Sequence, residues 1–432
     1  MARDEIDARM FGWLEAWQEI RERTEDRGID GCLTKVRSRQ VNLAERFGKR
    51  RSEAGKENNK LRKMMKVGAK RVVVAMSGGV DSSVAAALLK EKGFEVIGIT
   101  LKLVPDLKEG LRYGDCCSAE AVLDAKKVAF KLGIPHYTIN LTKEFSKFVI
   151  GDFLKEYAAG RTPNPCIKCN FHIKFGTLLK KAIALKADFL ATGHYARVSY
   201  NKTAKRYQLK KGLDPKKDQA YALYSLTQQQ LKKTLFPLGQ LKKEEVRALA
   251  VKYSLAVAEK AESMEICFVP NNDYAGYLKK NFSLNSEKGN IVDAGGKILG
   301  THSGIINYTI GQRKGLGIAA KEPLYVTAID KKNNIIVAGK KEEVTGRRLY
   351  AKEINFVGVK KISGKIKVTA KIRYRSIPVN ATARPYKKGL IVEFEKPQWA
   401  ITPGQAVVLY KGAGVIGGGL IVEKLREIKN DS

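Results

Sequence analysis

RVVVAMSGGVDSSVAAALLKE, residues 71–91, joins three unlike pieces of chain. Arg71 to Met76 holds consecutive β-branched and small apolar residues, the pattern of a strand buried on both faces. Ser77-Gly78-Gly79-Val80-Asp81-Ser82-Ser83 is a tight polar turn in which the two glycines can take positive φ, and the serines open the alanine- and leucine-rich helix that follows. The unpaired N–H groups at such a helix start make a phosphate site. The turn lacks the lysine of a Walker A loop and does not fit GxGxxG.

Outward from this turn, strands and helices alternate. EVIGITLKL (95–103) and HYTIN (136–140) are expected as strands, AEAVLDAKKVAFKLG (119–133) as a helix stopped by Gly133. FSKFVIGDFLKEY and KFGTLLKKAIAL (174–185) read as helices, and DFLATGHYARV (188–198) as a strand entering a turn. This order implies a parallel sheet wrapped by helices, with ligands at the carboxyl ends of its strands, where Ser77, Lys102 and Gly193-His194 fall. A short hairpin through RYQLKKGLDPKKDQ follows, then helices from Gln228 and from Lys243 to Tyr253. From about residue 286 short strands alternate with glycine and asparagine turns, which suggests small barrels.

The composition narrows the partners. Across 432 residues, Lys+Arg 80 against Asp+Glu 44 leaves a formal charge of +36, which favours a polyanion, nucleic acid foremost, although a solvated lysine-rich face would account for part of it. The hydrophobic share of 44% argues against global disorder. No apolar stretch reaches the roughly 18 residues of a membrane span, and no signal core opens the chain. Six cysteines are too few and too uneven for a disulfide framework, so a reducing cytoplasm is expected. Residues 1–63 are dense in charge of both signs, and 5–22 has the apolar spacing of an amphipathic helix; the segment reads either as an accessory RNA-binding or partner-binding arm or, the favoured reading because Met64 or Met65 stands just ahead of the first strand, as an extension from a misassigned start.

The remaining chemistry lies in two stretches, Arg161-Thr-Pro-Asn-Pro-Cys166-Ile-Lys-Cys169-Asn170 and Glu265-Ile-Cys267-Phe-Val-Pro270. Two prolines stiffen the first and place Cys169 just ahead of a helix expected from about His172; that helix start, with Lys168 and Arg161, would enrich the thiolate. A zinc site completed by Cys116 and Cys117, or inert buried thiols, are the open alternatives. Cys32 has no assigned role, and His136, His172 and His302 are read as packing residues.

SGGVDS fits the SGGxDS pattern, and the chain thereby resembles the PP-loop ATP pyrophosphatase superfamily. From about residue 64 onward it resembles one branch, the tRNA-specific 2-thiouridylase family of the MnmA (TrmU) type, through AMSGGVDSSV, RTPNPC..CN, ATGHYAR, KDQAYALYSL, FPLG, EICFVP, YTIGQRKGLGI, KIRYR and AITPGQAVVLY. The resemblance implies a Rossmann-like parallel-sheet PP-loop domain (64–268), a small central tRNA-binding domain (269–345) and a C-terminal β-barrel (346–432). It implies a cytoplasmic enzyme that adenylates O2 of the wobble uridine of tRNA, then passes sulfur from a cysteine persulfide to C2, with ATP and Mg²⁺ required and a sulfur-donor protein or sulfide as supplier. Carried over by motif, Ala75, Met76, Ser77, Gly78, Gly79, Val80, Asp81 and Ser82 would bind ATP with Leu101 and Gly193, Asp81 helping to hold Mg²⁺. Asn164, Pro165 and Cys166 would touch the target base; Cys169 would be the catalytic thiol and Cys267 the persulfide carrier. His194, Lys217, Asp218, Gln219, Arg373, Tyr374 and Gln405 would contact tRNA. A uridine carbonyl has no leaving group, so adenylation supplies one and a persulfide supplies a soft nucleophile.

Two departures from the family pattern bear on this. Cys166 stands where the family more often has aspartate, so Cys166, Cys169 and Cys267 could instead be thiolate ligands of a [4Fe–4S] cluster, a chemistry placed slightly behind the persulfide relay. Ala220 and Ala222 replace larger or hydroxylated residues near the expected tRNA contacts. Rivals are another PP-loop tRNA modifier or amidotransferase-type synthetase, which would lack the paired cysteine motifs, and a non-catalytic basic RNA-binding protein.

Overall fold

The computed structural model describes residues 69–105, 119–261, 266–269, 273–281 and 287–426. The expectations for residues 1–63, and for Cys32, Cys116 and Cys117, lie outside the described residues. The chain divides into two units, Met1–Lys70 with Gly93–Glu95 and Arg71–Lys92 with Val96–Ser432, and the second carries the architecture below.

Its first part alternates as the pattern requires: β1 (Arg71–Ala75), α1 (Val80–Glu91), β2 (Glu95–Lys102), α2 (Ala119–Leu132) and β3 (His136–Asn140). Then α3 (Thr142–Phe145) continues through π-helical turns at Ser146–Ile150 into α4 (Gly151–Ala158). After a short loop α5 (Pro165–Lys168) continues through π-helical turns at Cys169–Leu178 into α6 (Leu179–Ala184), which leads to β4 (Phe189–Ala191). A hairpin, β5 (Ala196–Asn201) and β6 (Arg206–Lys211), precedes α7 (Ala220–Leu223), α8 (Gln228–Lys232), β7 (Thr234–Leu235) and α9 (Lys243–Lys252). The helix α10 (Tyr274–Asn281) ends this part.

The sheet runs β3-β2-β1-β4-β7, with β1–β4, β2–β3 and β4–β7 parallel. Val72, Val73 and Val74 are fully buried, as a central strand covered on both faces demands. The strand order reverses across β1, whose neighbours are β2 and β4, and sheets of this kind carry their ligand crevice at that switch point, beyond the carboxyl ends. The turn after β1 and the Gly193-His194 turn after β4 both border it.

The rest is antiparallel in the main. β8 (Gly289–Val292), β9 (Ile298–His302), β10 (Tyr325–Asp330) and β11 (Ile335–Gly339) form a small sheet around Ile291, Val326 and Ile336. β12 (Gly346–Phe356), β13 (Ile366–Lys371), β14 (Val379–Tyr386), β15 (Gly389–Gln398), β16 (Ala406–Lys411) and β17 (Gly414–Leu425) form a six-stranded barrel, closed by pairing of β12 with β17. Leu349, Val392, Phe394, Leu409 and Ile421 fill it. The barrel also takes on β6, through the Gly414–Lys210 pairing, so the hairpin joins the nucleotide-fold half to the barrel half.

Two local expectations are corrected. The hairpin lies at 196–211, pairing ARVSYN with RYQLKK, because the ATGHYAR stretch breaks at Gly193-His194 and resumes as a separate strand. The helix expected from about His172 begins at Pro165: Asn164 is extended, with φ −118° and ψ 94°, and Pro165 at the first helical position has the φ a helix needs.

Candidate active site

At the end of β1, Met76 N–H donates to Ile99 O and Met76 O accepts from Thr100 Oγ1, which ties the turn to β2. The turn then curls on itself. Ser77 N–H donates to Ser82 Oγ at 3.1 Å, and Ser82 and Ser83 hydroxyls both donate to Gly79 O. Gly78 takes the expected positive φ of 71°, whereas Gly79 is extended at −98° and caps α1 by its backbone alone. The first N–H groups of α1 have no acceptor within the helix. With Ser77 exposed at its mouth, the turn has the form of the anion cradle expected from the sequence.

Asp81, in the first turn of α1, is fixed from the far side of the crevice. Its Oδ1 accepts from Lys243 Nζ at 2.7 Å and from Tyr195 Oη at 2.8 Å. Its Oδ2 takes no bond among the described residues, which suits a hard cation. Gly193 completes the contact: a Cβ there would stand 2.7 Å from the Asp81 carbonyl carbon and the Ser82 nitrogen, so only glycine lets the β4 turn approach. Lys243 was not foreseen, since a lysine opening a helix carries no local mark of a partner 162 positions away. Ala75, Met76 and Leu101, expected near the nucleotide, lie at the strand ends beside this cradle, with Met76 and Leu101 buried.

The two thiol segments lean on one supporting helix. Phe148 of the first π-helical turns stacks on His172 at 4.8 Å, and Lys168 pairs with Asp152 at 3.2 Å, binding the helix from Thr142 to the helix from Pro165. On the first of these, Phe145 and Phe153 meet Phe268 edge to face at 5.6 and 5.2 Å, which seats the turn that bears Cys267. Phe175 of the thiol helix packs on His194 and Phe236, and so reaches the turn at Gly193. Contacts therefore lead from the cradle through Gly193 and His194 to the helix of Cys169, and from there through one aromatic cluster to Cys267.

The sequence picture of the thiols changes in one respect. Cys166, in the first helical turn, is exposed; Cys169 lies one turn further in and is buried; Cys267 is half-buried. The helix-start effect expected for Cys169 thus falls on Cys166 instead. The expected cations are also committed elsewhere, Arg161 to Glu156 through two bonds of 2.6 and 2.5 Å and Lys168 to Asp152. Among the described residues no three His, Cys, Asp or Glu side chains stand together as metal ligands.

Several residues expected to face tRNA turn their polar groups inward. Asp218 accepts from Gly212 N and Ala220 N, and Gln219 Oε1 accepts from Tyr195 N. Arg373 donates to Ala400 O and Thr402 Oγ1, and Gln405 to Thr162 O and Pro163 O. Lys217 and Asn164 are half-buried, Pro165 is buried, and Tyr374 is exposed. His194 is buried, with Thr192 Oγ1 2.6 Å from Nδ1; desolvation, helped by Lys174, holds its pKa well below the ordinary histidine range. It is a neutral ring in the wall of the crevice. Of the alanines, Ala220 is buried and Ala222 O accepts from Asn170 Nδ2, so small residues there let the thiol helix approach α7. His302 Nε2 lies 3.0 Å from Asn334 O, and its Nδ1 accepts from Gly304 N–H.

Comparison with known proteins matches this division of the chain. The family described as tRNA methyl transferase HUP domain matches residues 70–271, its PRC-barrel domain residues 276–340, and the aminomethyltransferase beta-barrel domain residues 346–421. The tRNA-specific 2-thiouridylase MnmA 1 of Caldanaerobacter subterraneus subsp. tengcongensis is 55% identical over 359 residues, 82% of this chain and 99% of its own. That of Heliobacterium modesticaldum is 52% identical over 358 residues, 82% and 93% of the two chains. That of Acetivibrio thermocellus is 50% identical over 355 residues, 82% and 99%. No helix among the described residues is long and apolar enough to cross a membrane.

Proposed function

The chain belongs to the tRNA-specific 2-thiouridylase family, and we propose that it converts the wobble uridine of tRNA to 2-thiouridine in two steps served by one crevice. In the first, uridine O2 attacks the α-phosphate of ATP and pyrophosphate leaves. The cradle from Ser77 to Ser82 holds the phosphates by backbone N–H groups and the start of α1. Lys243 stands on its flank. Mg²⁺, held by Asp81, would neutralise phosphate charge as pyrophosphate departs.

In the second step the terminal sulfur of a Cys267 persulfide attacks C2, and O2 leaves on AMP. Cys169 then attacks the Cys267 sulfur, breaking the sulfur–sulfur bond; two thiols are oxidised to a disulfide as the sulfane sulfur is reduced to the thione level. The N3 proton released on adenylation is regained as the thione forms. Sulfide attack on the Cys267 sulfur of that disulfide expels the Cys169 thiolate and restores the Cys267 persulfide directly; alternatively an external dithiol reduces the disulfide and a sulfur-donor protein passes the terminal sulfur of its own persulfide to the Cys267 thiolate. The burial of Cys169 suits a thiol that acts only after the base has entered. The reading also fits a reducing cytoplasm, where such thiols persist.

The observation that carries this reading is the run of contacts from Asp81 through Gly193 and Phe175 to the helix of Cys169. A methyl transfer, which the domain description names, would leave the ATP-type cradle and the paired thiol segments without work. The test is nucleotide accounting: with undermodified tRNA, ATP and sulfide, pyrophosphate and AMP should form in equal amounts and only when tRNA is present. Release of neither would remove the adenylation step and leave an RNA-binding protein.

A further inference from the structure

The loop that bears the expected base contacts is held by the barrel as well as by its own domain. Thr162 N–H donates to Pro403 O at 3.0 Å, and Gln405 Nε2 donates to Thr162 O at 2.9 Å and Pro163 O at 3.1 Å. All of these partners lie on the barrel turn that leads into β16. A Cβ at Gly404 would stand 2.8 to 3.0 Å from Thr162 backbone atoms, so that turn and the loop are packed main chain to main chain. The turn itself is fixed from behind. Arg373 Nη2 donates to Ala400 O and Thr402 Oγ1, both at 2.9 Å, while Gly404 N–H donates to Ile421 O of β17 and Ile421 N–H donates back to Gln405 O. On the loop's other side, Arg161 is locked to Glu156.

We propose that Gln405 is a positioning residue that clamps the Thr162-Pro163 segment so that Asn164, Pro165 and Cys166 are presented at a fixed place, and that Arg373 braces the clamp. This rests on the 2-thiouridylase reading for its consequence in turnover. A carboxamide suits the task because its NH₂ supplies two donors to two adjacent carbonyls, neither of which the stiff Thr-Pro-Asn-Pro stretch can satisfy internally. Both residues resemble tRNA contacts by motif, yet the Gln405 amide NH₂ and the Nη2 group of Arg373 donate inside the chain. The barrel is thereby a structural part of the active site.

Gln405→Leu, which keeps the volume and removes both donors, and Gln405→Glu, which sets a carboxylate against two carbonyls, test this in the full chain. Hydrogen exchange of amides 160–166 should quicken about 10- to 30-fold, the effect of losing two neutral hydrogen bonds. Single-turnover formation of 2-thiouridine should slow, while binding of unmodified tRNA without ATP stays within about twofold. Loop exchange unchanged in folded variants, or tRNA affinity lost with the loop still protected, would overturn the proposal and make Gln405 a tRNA contact. In the unaltered chain, Thr162 N–H should exchange as slowly as the amides of β16, and exchange at exposed-loop rates would overturn the proposal even if both variants fail to fold. Exchange does not depend on turnover, so a chain that made no 2-thiouridine would fail the functional reading and leave the clamp decided separately.

Discussion

Replacing Phe268 by alanine should slow sulfur transfer while sparing adenylation. Phe268 is 1% exposed, and its ring meets Phe145, Phe153 and Tyr277 edge to face at 5.6, 5.2 and 5.7 Å. Phe→Ala at a buried site costs about 3–5 kcal/mol, of which each lost ring pair accounts for roughly 0.5–1.5 kcal/mol. At about 4 kcal/mol, the balance between a docked and an undocked Cys267 turn shifts close to a thousandfold, about 1,000:1 in ratio. A turn docked on the order of 100:1 would become undocked by about 10:1, and sulfur transfer would fall about tenfold. The rings that meet Phe268 among the described residues, Phe145, Phe153 and Tyr277, lie outside the Ser77 to Ser82 cradle, so the first step should be untouched. Quench-flow single turnover separates the two, the pyrophosphate burst reporting adenylation and AMP with 2-thiouridine reporting transfer. A pyrophosphate burst that falls in step with transfer, in protein shown to be folded at the assay temperature, would refute the reasoning; so would transfer at the normal rate.

Three further outcomes are expected. Asp81→Ala should lower the pyrophosphate burst by at least about 100-fold, and should cost about 1–3 kcal/mol in urea unfolding, because Lys243, 10% exposed, loses its carboxylate while Asp81 itself is 33% exposed and partly screened. His194, His136 and His172 all have pKa values lowered first by desolvation, so the unfolded chain binds protons that the fold refuses; stability is held above about pH 6.5 and lost as pH falls through and below that value. Urea midpoints should therefore drop between about pH 8 and pH 5.5, with a shallower drop in His194→Gln, and a midpoint that rises on acidification would contradict this. Filter binding of tRNA should weaken steeply with salt, as lysine and arginine contacts release counterions, and a flat salt dependence would contradict a phosphate-bound tRNA.

Local chemistry made much of the fold legible. The β-branched run at 71–75 and HYTIN at 136–140 are strands because branched side chains suit a pleated surface, and Gly133, with φ 58°, stops α2 where a left-handed residue is needed. Proline misled at 165, where the same fixed φ that stiffens a loop also starts a helix. The site was legible only in its short motifs. Nothing near Lys243 or Tyr195 announces Asp81, and nothing near Gln405 announces Thr162, 243 positions away, because tertiary partners leave no periodicity in sequence. Asp218, Gln219, Arg373 and Gln405 share the polar character of tRNA contacts, and only their hydrogen bonds separate outward from inward roles.

The most direct test is nucleoside mass analysis of undermodified tRNA incubated with the chain, ATP, Mg²⁺, a dithiol and a sulfur donor that carries a persulfide. The account predicts that the wobble uridine exchanges one oxygen for sulfur in the presence of ATP, and that Cys267→Ser yields the pyrophosphate burst with no thiolated nucleoside. Unchanged wobble uridine with the intact protein, or full thiolation by Cys267→Ser, would contradict it.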